Sequence, residues 1–504
     1  MPSVNSKNIN YSYKNKVYTY YSDGLDLDFI YSLTENLSNI IFTEYNESAG
    51  EIAKGRAYGT KGEHKAAEIL FENMTKIGLN AKKEKLNNTD RYPNLIKGYN
   101  VLDYKLEIKN ETKKENIQCY INAVKLKNPK HERIVNKSFK DIKIKLMPNT
   151  TKGWFSAFFN DRKQGKYVFL SDIRNILSRN PNASLSLEAR IIRKIFYPIQ
   201  NPVVFYHSFK RSSKRFLIDV FFKNCVGIMI YDFTNDTHNT GFNTYGEVLP
   251  IILINGTDGR KILNNHENFT IDFFIKEMYN RSIESYNVIG LLEGECKNKT
   301  VIVDCLYDSV WSQGTGDAAI GMGIVMGVAK YFKDNNIYPK CNIKFIGFGG
   351  EEAGLLGAKY YEDIHEDESV THVIDLNQVC SLQKCPRLTL NVIFNKLSFM
   401  NEIWPIIKDC NYSQRVGIKD IAKRWWLSGA PSDDRVFNMF RWPEVKTVSF
   451  LEDFPWIAHH RDGRNHTEGD VFKHVNWGEV EILGEMIVKI VRYITVENYQ
   501  LKSF

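Results

Sequence analysis

A chain of 504 residues is too long for a minimal scaffold, and its length favours one large domain with insertions or two to three domains. Hydrophobic residues make up 43% of it and charged residues 25%, which excludes intrinsic disorder and predicts true hydrophobic cores. The net charge of +8 comes from 67 basic and 59 acidic residues, an excess too small to indicate a nucleic-acid-binding domain.

Compartment signals in the sequence point in two directions. No window approaches twenty consecutive apolar residues, and residues 1–24 lack the apolar segment of a signal peptide, so we expect no transmembrane segment. Eight cysteines without CxxC pairing suit a reducing compartment, and Cys305 and Cys341 lie in apolar runs typical of buried free thiols. About fifteen N-x-S/T sequons, against about five expected from composition, suit a lumenal or secreted protein. We expect a cytoplasmic protein if the chain is complete, and a secreted or lumenal one if a leader has been removed.

The amino-terminal part of the chain has an α/β pattern. Residues 25–42 carry apolar positions at helical spacing. The segment GTKGEHKAAEILFENMTKIGL (59–79) predicts a second helix that ends at Gly78, followed by a strand. We assign residues 1–105 to the first part of an α/β domain.

A β-rich insertion is predicted over residues 106–285. It contains the short apolar runs GKYVFLSD, NCVGIMIYDF and EVLPIILINGTDGRKIL, each bounded by turn residues. Residues 174–215 are basic and aromatic, which fits a solvated surface better than a binding patch.

Residues 286–504 alternate strands with helices. The predicted strands are VIGLLEG, KTVIVDCLYDS, CNIKFIGFG, THVIDLNQVC, LTLNVIF and VKTVSFL, and the helices are AAIGMGIVMGVAKYF and WGEVEILGEMIVKIVRYITVEN. Such alternation predicts a mostly parallel sheet flanked by helices, the core of an α/β domain. Sites in these folds gather at the carboxyl ends of the strands.

Polar side chains follow several of these predicted strands. They are Asp308, Asp317, Glu351, Glu352, Asp375, Asn377, Asp433 and His466. Each alone has a structural explanation. Asp317 could cap the next helix, the glutamate pair could favour a helix amino terminus, and Thr467 with Asp470 could form a capping box.

Together these segments resemble metallopeptidase family 28, the zinc aminopeptidases and their glutamate carboxypeptidase and transferrin-receptor relatives. The most specific segment is GGEEAGLLGAKYY (349–361), and PSDDRVF, NHTEGDVF and the opening RAYGTKGEHKAAEILFENMTKIGL are similar to further family segments. Residues of about 150–285 look like the protease-associated insert of many members. The resemblance implies a zinc aminopeptidase-like α/β fold.

The resemblance also implies roles for four residues. In the family's two-zinc site an Asp bridges both metals, the first Glu of the pair is the general base and the second binds metal. These roles fall on Asp317, Glu351 and Glu352, with His466 as a further ligand. Carboxylate and imidazole ligands suit zinc, which activates water for attack on a carbonyl while a nearby carboxylate takes the proton.

The ligands that serve only the family's second metal are changed. Its histidine position is Leu306, and its aspartate position is Asn377 in the Asp375-Leu376-Asn377 strand end. Leucine cannot bind zinc and an amide is a poor substitute for a carboxylate, so we expect one zinc ion. Asp375 and Asn377 share a strand face and could contribute weakly. The unassigned histidines that could also reach the site are His372, His459 and His460.

The expected function is a zinc-dependent, aminopeptidase-type hydrolase acting on a peptide or small amide with one metal. Two alternatives stay open: an inactive binding or scaffold protein like the transferrin receptor, and a single-zinc acyltransferase like glutaminyl cyclases. Asp308 is expected to be structural at its strand end. Asp433 could orient substrate or form a polar turn, and Trp425 and Trp426 could line a pocket or pack. Surfaces of the insert could support a homodimer.

Overall fold

The structure is a computed structural model that describes most of the chain. It covers residues 8–13, 16–21, 24–41, 43–46, 50–53, 55–110, 113–121, 133–146, 166–172, 224–231, 250–280, 282–310, 312–380, 389–410, 420–425, 432–439, 442, 444–452 and 467–497. The predicted residues and segments that lie outside this part include His459, His460, His466, Trp426 and the basic stretch 174–215.

Contacts within the chain divide it into two compact units. The first comprises residues 1–43, 53–96 and 283–504, and the second comprises 44–52 and 97–282. The predicted domain limits at 105/106 and 285/286 stay a prediction. In the part of the chain that the structure describes, no helix combines the length and apolarity needed to cross a bilayer.

The first unit contains an eight-stranded sheet. Its strands are β5 (Asn80–Lys85), β14 (Tyr286–Leu292), β15 (Cys296–Leu306), β16 (Cys341–Phe348), β17 (Val370–Leu376), β18 (Thr389–Phe394), β19 (Asp420–Trp425) and β20 (Lys446–Glu452). They lie in the order β19-β18-β20-β17-β15-β16-β14-β5. The four central strands β20, β17, β15 and β16 are parallel to one another.

Three strands run opposite to the four central ones, unlike the arrangement that strict alternation predicts. β14 runs antiparallel to β16, β18 runs antiparallel to β20, and β19 runs parallel to β18. Only residues 293–295 join β14 to β15, which lie on either side of β16, and three residues can span about 10 Å. That length crosses the start of β16 but is too short for the crossover helix that two parallel strands would need. β14 and β15 therefore run in opposite directions.

Seven α-helices accompany this sheet within the described ranges. They are α1 (Leu27–Ser38), α2 (Lys61–Ile77), α4 (Ile320–Asp334), α5 (Leu356–Ile364), α6 (Leu397–Asp409), α7 (Asp434–Met439) and α8 (Trp477–Arg492), and α3 (Gly256–Asn265) belongs to the second unit. The first two predicted helices are confirmed. In α2 the Thr60 hydroxyl accepts from the backbone N–H of Glu63, and Gly78 ends the helix with φ +85°.

The two faces of the sheet bury different clusters. Val301 and Val303 of β15 pack in the large core with α1, α2, α4, α6 and α8, whereas Ile302 packs with side chains of α5 and α7. This alternation follows from the two-residue period of a strand. Helices therefore cover both faces, and the predicted α/β class is confirmed. Cys305 and Cys341 are buried and free, as expected.

The second unit also contains an eight-stranded sheet. Its strands are β6 (Gly98–Lys109), β7 (Lys114–Asn116), β8 (Cys119–Ile121), β9 (Arg133–Leu146), β10 (Tyr167–Asp172), β11 (Cys225–Tyr231), β12 (Ile251–Ile254) and β13 (Thr270–Asn280), in the order β7-β6-β13-β9-β10-β11-β12-β8. β13 alternates strictly between buried and half-buried residues. The described residues also form two separate two-stranded sheets: β1 (Asn8–Tyr13) with β2 (Lys16–Tyr21), and β3 (Thr43–Asn46) with β4 (Gly50–Ala53).

Candidate active site

Acidic residues collect where the parallel strands of the first unit end. Asp308 follows β15, Glu351 and Glu352 follow β16, and Asn377 follows β17, in which Asp375 is the penultimate residue. Because these strands are parallel neighbours, their carboxyl ends lie along one edge of the sheet, where sites of α/β folds form.

The loop that carries the two glutamates is held by Asp308. One carboxylate oxygen of Asp308 accepts from the Glu351 N–H at 3.0 Å, and the other accepts from the Glu352 N–H at 3.2 Å. Gly350 adopts φ +66°, and a Cβ there would lie 2.8 Å from the Tyr58 ring. Asp308 therefore does more than end a strand, because it fixes both glutamate backbones.

The loop before α4 brings Asp317 to the same edge. Asp470 accepts hydrogen bonds from the N–H groups of Gly316 at 2.7 Å and Asp317 at 3.1 Å. The Gln378 side-chain amide donates to Oδ2 of Asp317 at 2.8 Å. Asp470 thus supports the loop from the NHTEGDVF segment, where the sequence predicted only a capping role for Asp470 itself, and Gln378 was missed.

The alternative capping roles do not match the structure. The N-cap of α4 is Ala319, without a side-chain hydrogen bond, so Asp317 does not cap that helix. α5 begins at Leu356, beyond the glutamate pair. The Thr467 hydroxyl accepts from the Gly469 N–H in a turn before α8 begins at Trp477.

A buried arginine ties the loops around this edge together. Arg56 is fully buried and donates to the carbonyl oxygens of Tyr307 at 2.8 Å, Leu37 at 3.0 Å, Gln313 at 2.5 Å and Gly314 at 2.8 Å. Burial lowers its pKa to about 10, against the opposing effect of nearby acidic groups, so the guanidinium stays charged at neutral pH. Sequence reasoning placed this residue only in a similar amino-terminal segment.

Glu63 supports the site from the same amino-terminal segment. It is fully buried, and its carboxylate accepts from the Ser285 hydroxyl at 2.7 Å and from the Gly59 N–H at 2.5 Å. Burial and the charge of Asp308 raise the pKa of Glu63 well above its usual range.

The acids repel one another electrostatically. Burial, followed by the charges of Glu352 and Asp433, raises the pKa of Glu351 well above its usual range, and Asp308 and Asp317 add to the effect. Burial and the Glu352 charge raise the pKa of Asp308 in the same way. Negative charge concentrated in a buried space favours a bound cation.

Two of the described residues suit the zinc ion that the resemblance implies. Asp317 and Glu352 offer carboxylate oxygens, which zinc accepts, and the repulsion just described would be offset by a divalent cation. Within the described ranges, no group of three His, Cys, Asp or Glu side chains is arranged to hold a metal. The predicted third ligand, His466, lies outside those ranges, so the three-residue set stays a prediction.

Asp375 and Asn377 are engaged by other groups. Oδ2 of Asp375 accepts from the hydroxyls of Ser432 and Ser449, and burial raises the pKa of Asp375 to about 6. The Asn377 side chain donates to Ser432 at 3.0 Å and accepts from the Gln378 N–H at 2.8 Å. Their weak contribution to a metal stays a prediction.

Asp433 and His372, the remaining polar candidates, differ in their surroundings. Asp433 is fully buried, and neither of its carboxylate oxygens has a hydrogen bond to a residue that the structure describes. Burial and the charges of Asp375 and Asp308 raise the pKa of Asp433 well above the usual range. His372 lies three residues before Asp375, about 10 Å towards the start of β17, and packs 5.1 Å from the Phe399 ring. His372 is therefore remote from the carboxyl edge.

The chain is similar to known peptidases. Residues 287–491 match the model of peptidase family M28. This match confirms the resemblance to family M28. Aminopeptidase YwaD of Bacillus subtilis strain 168 is 25% identical over 271 residues, which are 51% of this chain and 53% of that protein. The chain thus spans about half the length of that curated relative.

Solved structures share the fold. The zinc aminopeptidase BSAP from Bacillus subtilis is 18% identical, with a TM-score of 0.57 over 94% of this chain and 95% of that one. A peptidase M28 precursor from Shewanella amazonensis SB2B is 17% identical, with a TM-score of 0.60 over 93% of both chains. These likenesses confirm the zinc aminopeptidase-like fold that the M28 resemblance implies.

Proposed function

We propose that this chain is a metal-dependent, aminopeptidase-type hydrolase whose site holds one zinc ion. The observation that carries the proposal is the pair Glu351 and Glu352, fixed through their backbones by Asp308 at the carboxyl edge of the sheet, inside the segment that matches family M28. The charge of Asp317 is among those that raise the pKa of Glu351. The aminopeptidase name of the relative supports a peptide substrate.

Asp317, Glu352 and His466 would hold the zinc. When bound, zinc supplies a Lewis acid that polarises the scissile carbonyl and favours ionisation of water. Glu351 is proposed as the general base that takes a proton from the attacking water and returns it to the leaving amine. Its backbone is fixed by Asp308, so its carboxylate is presented from a defined position.

The surroundings support a single ion rather than two. Leu306, at the position of the family's second-metal histidine, is 1% exposed and packs in the main core. Asn377 already bonds Ser432 and Gln378 with both ends of its amide. Neither residue offers a second cation a charged ligand.

Zinc content tests the proposal directly. We expect the purified wild-type chain to retain one zinc per molecule after dialysis, measured by plasma mass spectrometry. His466→Ala should lower occupancy strongly because an inner ligand is removed, whereas Asn377→Ala should not. Wild-type protein without zinc, or equal occupancy in His466→Ala, would contradict the proposed site. Retained zinc with no turnover of any aminoacyl or amino-terminal glutaminyl substrate would favour a scaffold protein.

Asp308 is expected to position both Glu351, the proposed base, and Glu352, a proposed zinc ligand. Asp308→Asn places an amide N–H against one of the two backbone N–H groups, so one hydrogen bond is lost and one contact becomes repulsive, which costs about 1–3 kcal/mol of stability. Differential scanning fluorimetry with zinc titration measures the melting temperature and the zinc affinity. Asp367→Asn, an exposed control, should leave both unchanged. Zinc affinity and melting temperature equal to wild type in Asp308→Asn would contradict this role.

A further inference from the structure

Two cysteines lie side by side where β15 and β16 begin. Cys296 and Cys341 are register partners in the parallel pairing of these strands, and the Cys296 N–H donates to the carbonyl oxygen of Lys340 at 3.0 Å. Paired strands lie about 4.7–4.9 Å apart, and a disulfide needs a Cα separation of about 4.4–6.8 Å. Register partners project from the same face of a sheet, so the two thiols are within reach of each other.

The segment around Cys296 is held against β16 by one side chain. The side-chain oxygen of Asn342 accepts from the Gly294 N–H at 3.0 Å, and its nitrogen donates to the Lys297 carbonyl oxygen at 3.1 Å. A Cβ at Gly294 would lie 2.3 Å from the Cys341 carbonyl group, so only glycine permits this close approach. The chain is therefore fixed on both sides of Cys296, which keeps that residue beside Cys341.

The two thiols differ in accessibility. Cys296 is half-buried and its thiol donates to the Asn298 side-chain oxygen at 2.7 Å, whereas Cys341 is 2% exposed. Among the cysteines that the structure describes, every one except Cys296 is buried. Burial, with a smaller contribution from the charge of Cys296, raises the pKa of Cys341 to about 11, which agrees with a short distance between the two thiols. A soluble oxidant therefore meets Cys296 first.

We propose that Cys296 and Cys341 form a redox-sensitive pair, which a low-molecular-weight disulfide such as glutathione disulfide converts into a protein disulfide. The Cys296 thiolate attacks one sulfur of the small disulfide, forms a mixed disulfide and releases one glutathione thiolate. The Cys341 thiolate then attacks the Cys296 sulfur, which forms the protein disulfide and releases the second glutathione. The two protein thiols lose two electrons and two protons, and the small disulfide gains them. Because Cys341 is buried with a raised pKa, the second step is expected to be the slower one.

The disulfide is expected to stabilise the fold at a distance from the acidic residues. It closes a loop over residues 297–340, which contains Asp317 and α4, and such a loop mainly restricts the unfolded chain. Cys341 is the first of the eight residues of β16, about 23 Å from the end that the glutamate pair follows. Oxidation should therefore change stability and not turnover, so this role does not depend on the proposed function.

Peptide mapping of the full chain tests the pair. After incubation of the reduced wild type with glutathione disulfide and alkylation of the remaining thiols, we expect mass spectrometry of a tryptic digest to show a peptide linked through Cys296 and Cys341. Dithiothreitol should remove the link. Oxidation should raise the melting temperature by about 5–10 °C, the shift typical of closing a loop of this length. Cys341→Ala should stop at the mixed disulfide on Cys296, and Cys296→Ser should show neither the link nor the shift.

The matched control removes another buried thiol of the same unit. Cys410→Ala should keep both the link and the shift in melting temperature. If Cys341→Ala does not fold, Cys296→Ser carries the comparison, because Cys296 is only half-buried. A folded wild type that shows no linked peptide at equilibrium would overturn the pair, and a linked peptide without the rise in melting temperature would overturn its stabilising role. Neither result involves zinc content or turnover, so the peptidase proposal would stand.

Discussion

Glu351→Gln is expected to lower kcat/KM for aminoacyl fluorogenic substrates by about 10²–10⁴-fold, the contribution typical of a general base. Glutamine has nearly the same shape but cannot take the proton. The variant should keep its zinc, because the proposed ligands are Asp317, Glu352 and His466. Its melting temperature should not fall, since burial and the neighbouring acids already disfavour the charged form of Glu351.

Steady-state kinetics, zinc content and thermal melts on the same preparations distinguish the loss of a base from the loss of a zinc ligand or of stability. Glu366 is exposed in the same part of the chain, and Glu366→Gln should match the wild type in all three measurements. Equal rates in the wild type and Glu351→Gln would remove Glu351 as the base. A loss of zinc together with activity in Glu351→Gln would instead make Glu351 a ligand.

Helices and strands that are determined by residues within their own segment were predictable from the sequence. The helix Lys61–Ile77 has its cap at Thr60 and its end at Gly78, and both signals lie within the segment itself. The apolar strands of the central sheet follow the same logic, because each is a short buried run. The polar residues at their carboxyl ends, Asp308, Glu351 and Glu352, were therefore predictable as site candidates.

The supporting contacts were not predictable, because they join distant parts of the chain. Arg56 donates to Tyr307 and Gly314, which lie 251 and 258 residues away, and no local period encodes such a pairing. Gln378 reaches Asp317 across 61 residues. The usable signal was its position directly after a strand end, where a polar residue points towards a site. Antiparallel β14 was inferable from its three-residue connection to β15.

Arg56→Met is expected to destabilise the first unit by about 3–5 kcal/mol, the range typical of breaking a buried charged network. Methionine fills much of the volume, but four backbone carbonyl oxygens lose their donor. The negative charges of Asp470, Asp308 and Asp317 also lose the nearby cation.

The carbonyls of Gln313 and Gly314 belong to the loop that presents Asp317, so zinc affinity should fall along with stability. Urea unfolding measured with and without added zinc separates the two effects, since bound ligand stabilises only the folded state. Arg56→Lys should recover little, because one ammonium group cannot reach carbonyls that a guanidinium fork spans. Lys297, whose side chain is 75% exposed in the same unit, provides the control, and Lys297→Met should leave both measurements unchanged. Wild-type stability in Arg56→Met would show that water replaces the guanidinium at all four carbonyls, and the loop before α4 would then need another support.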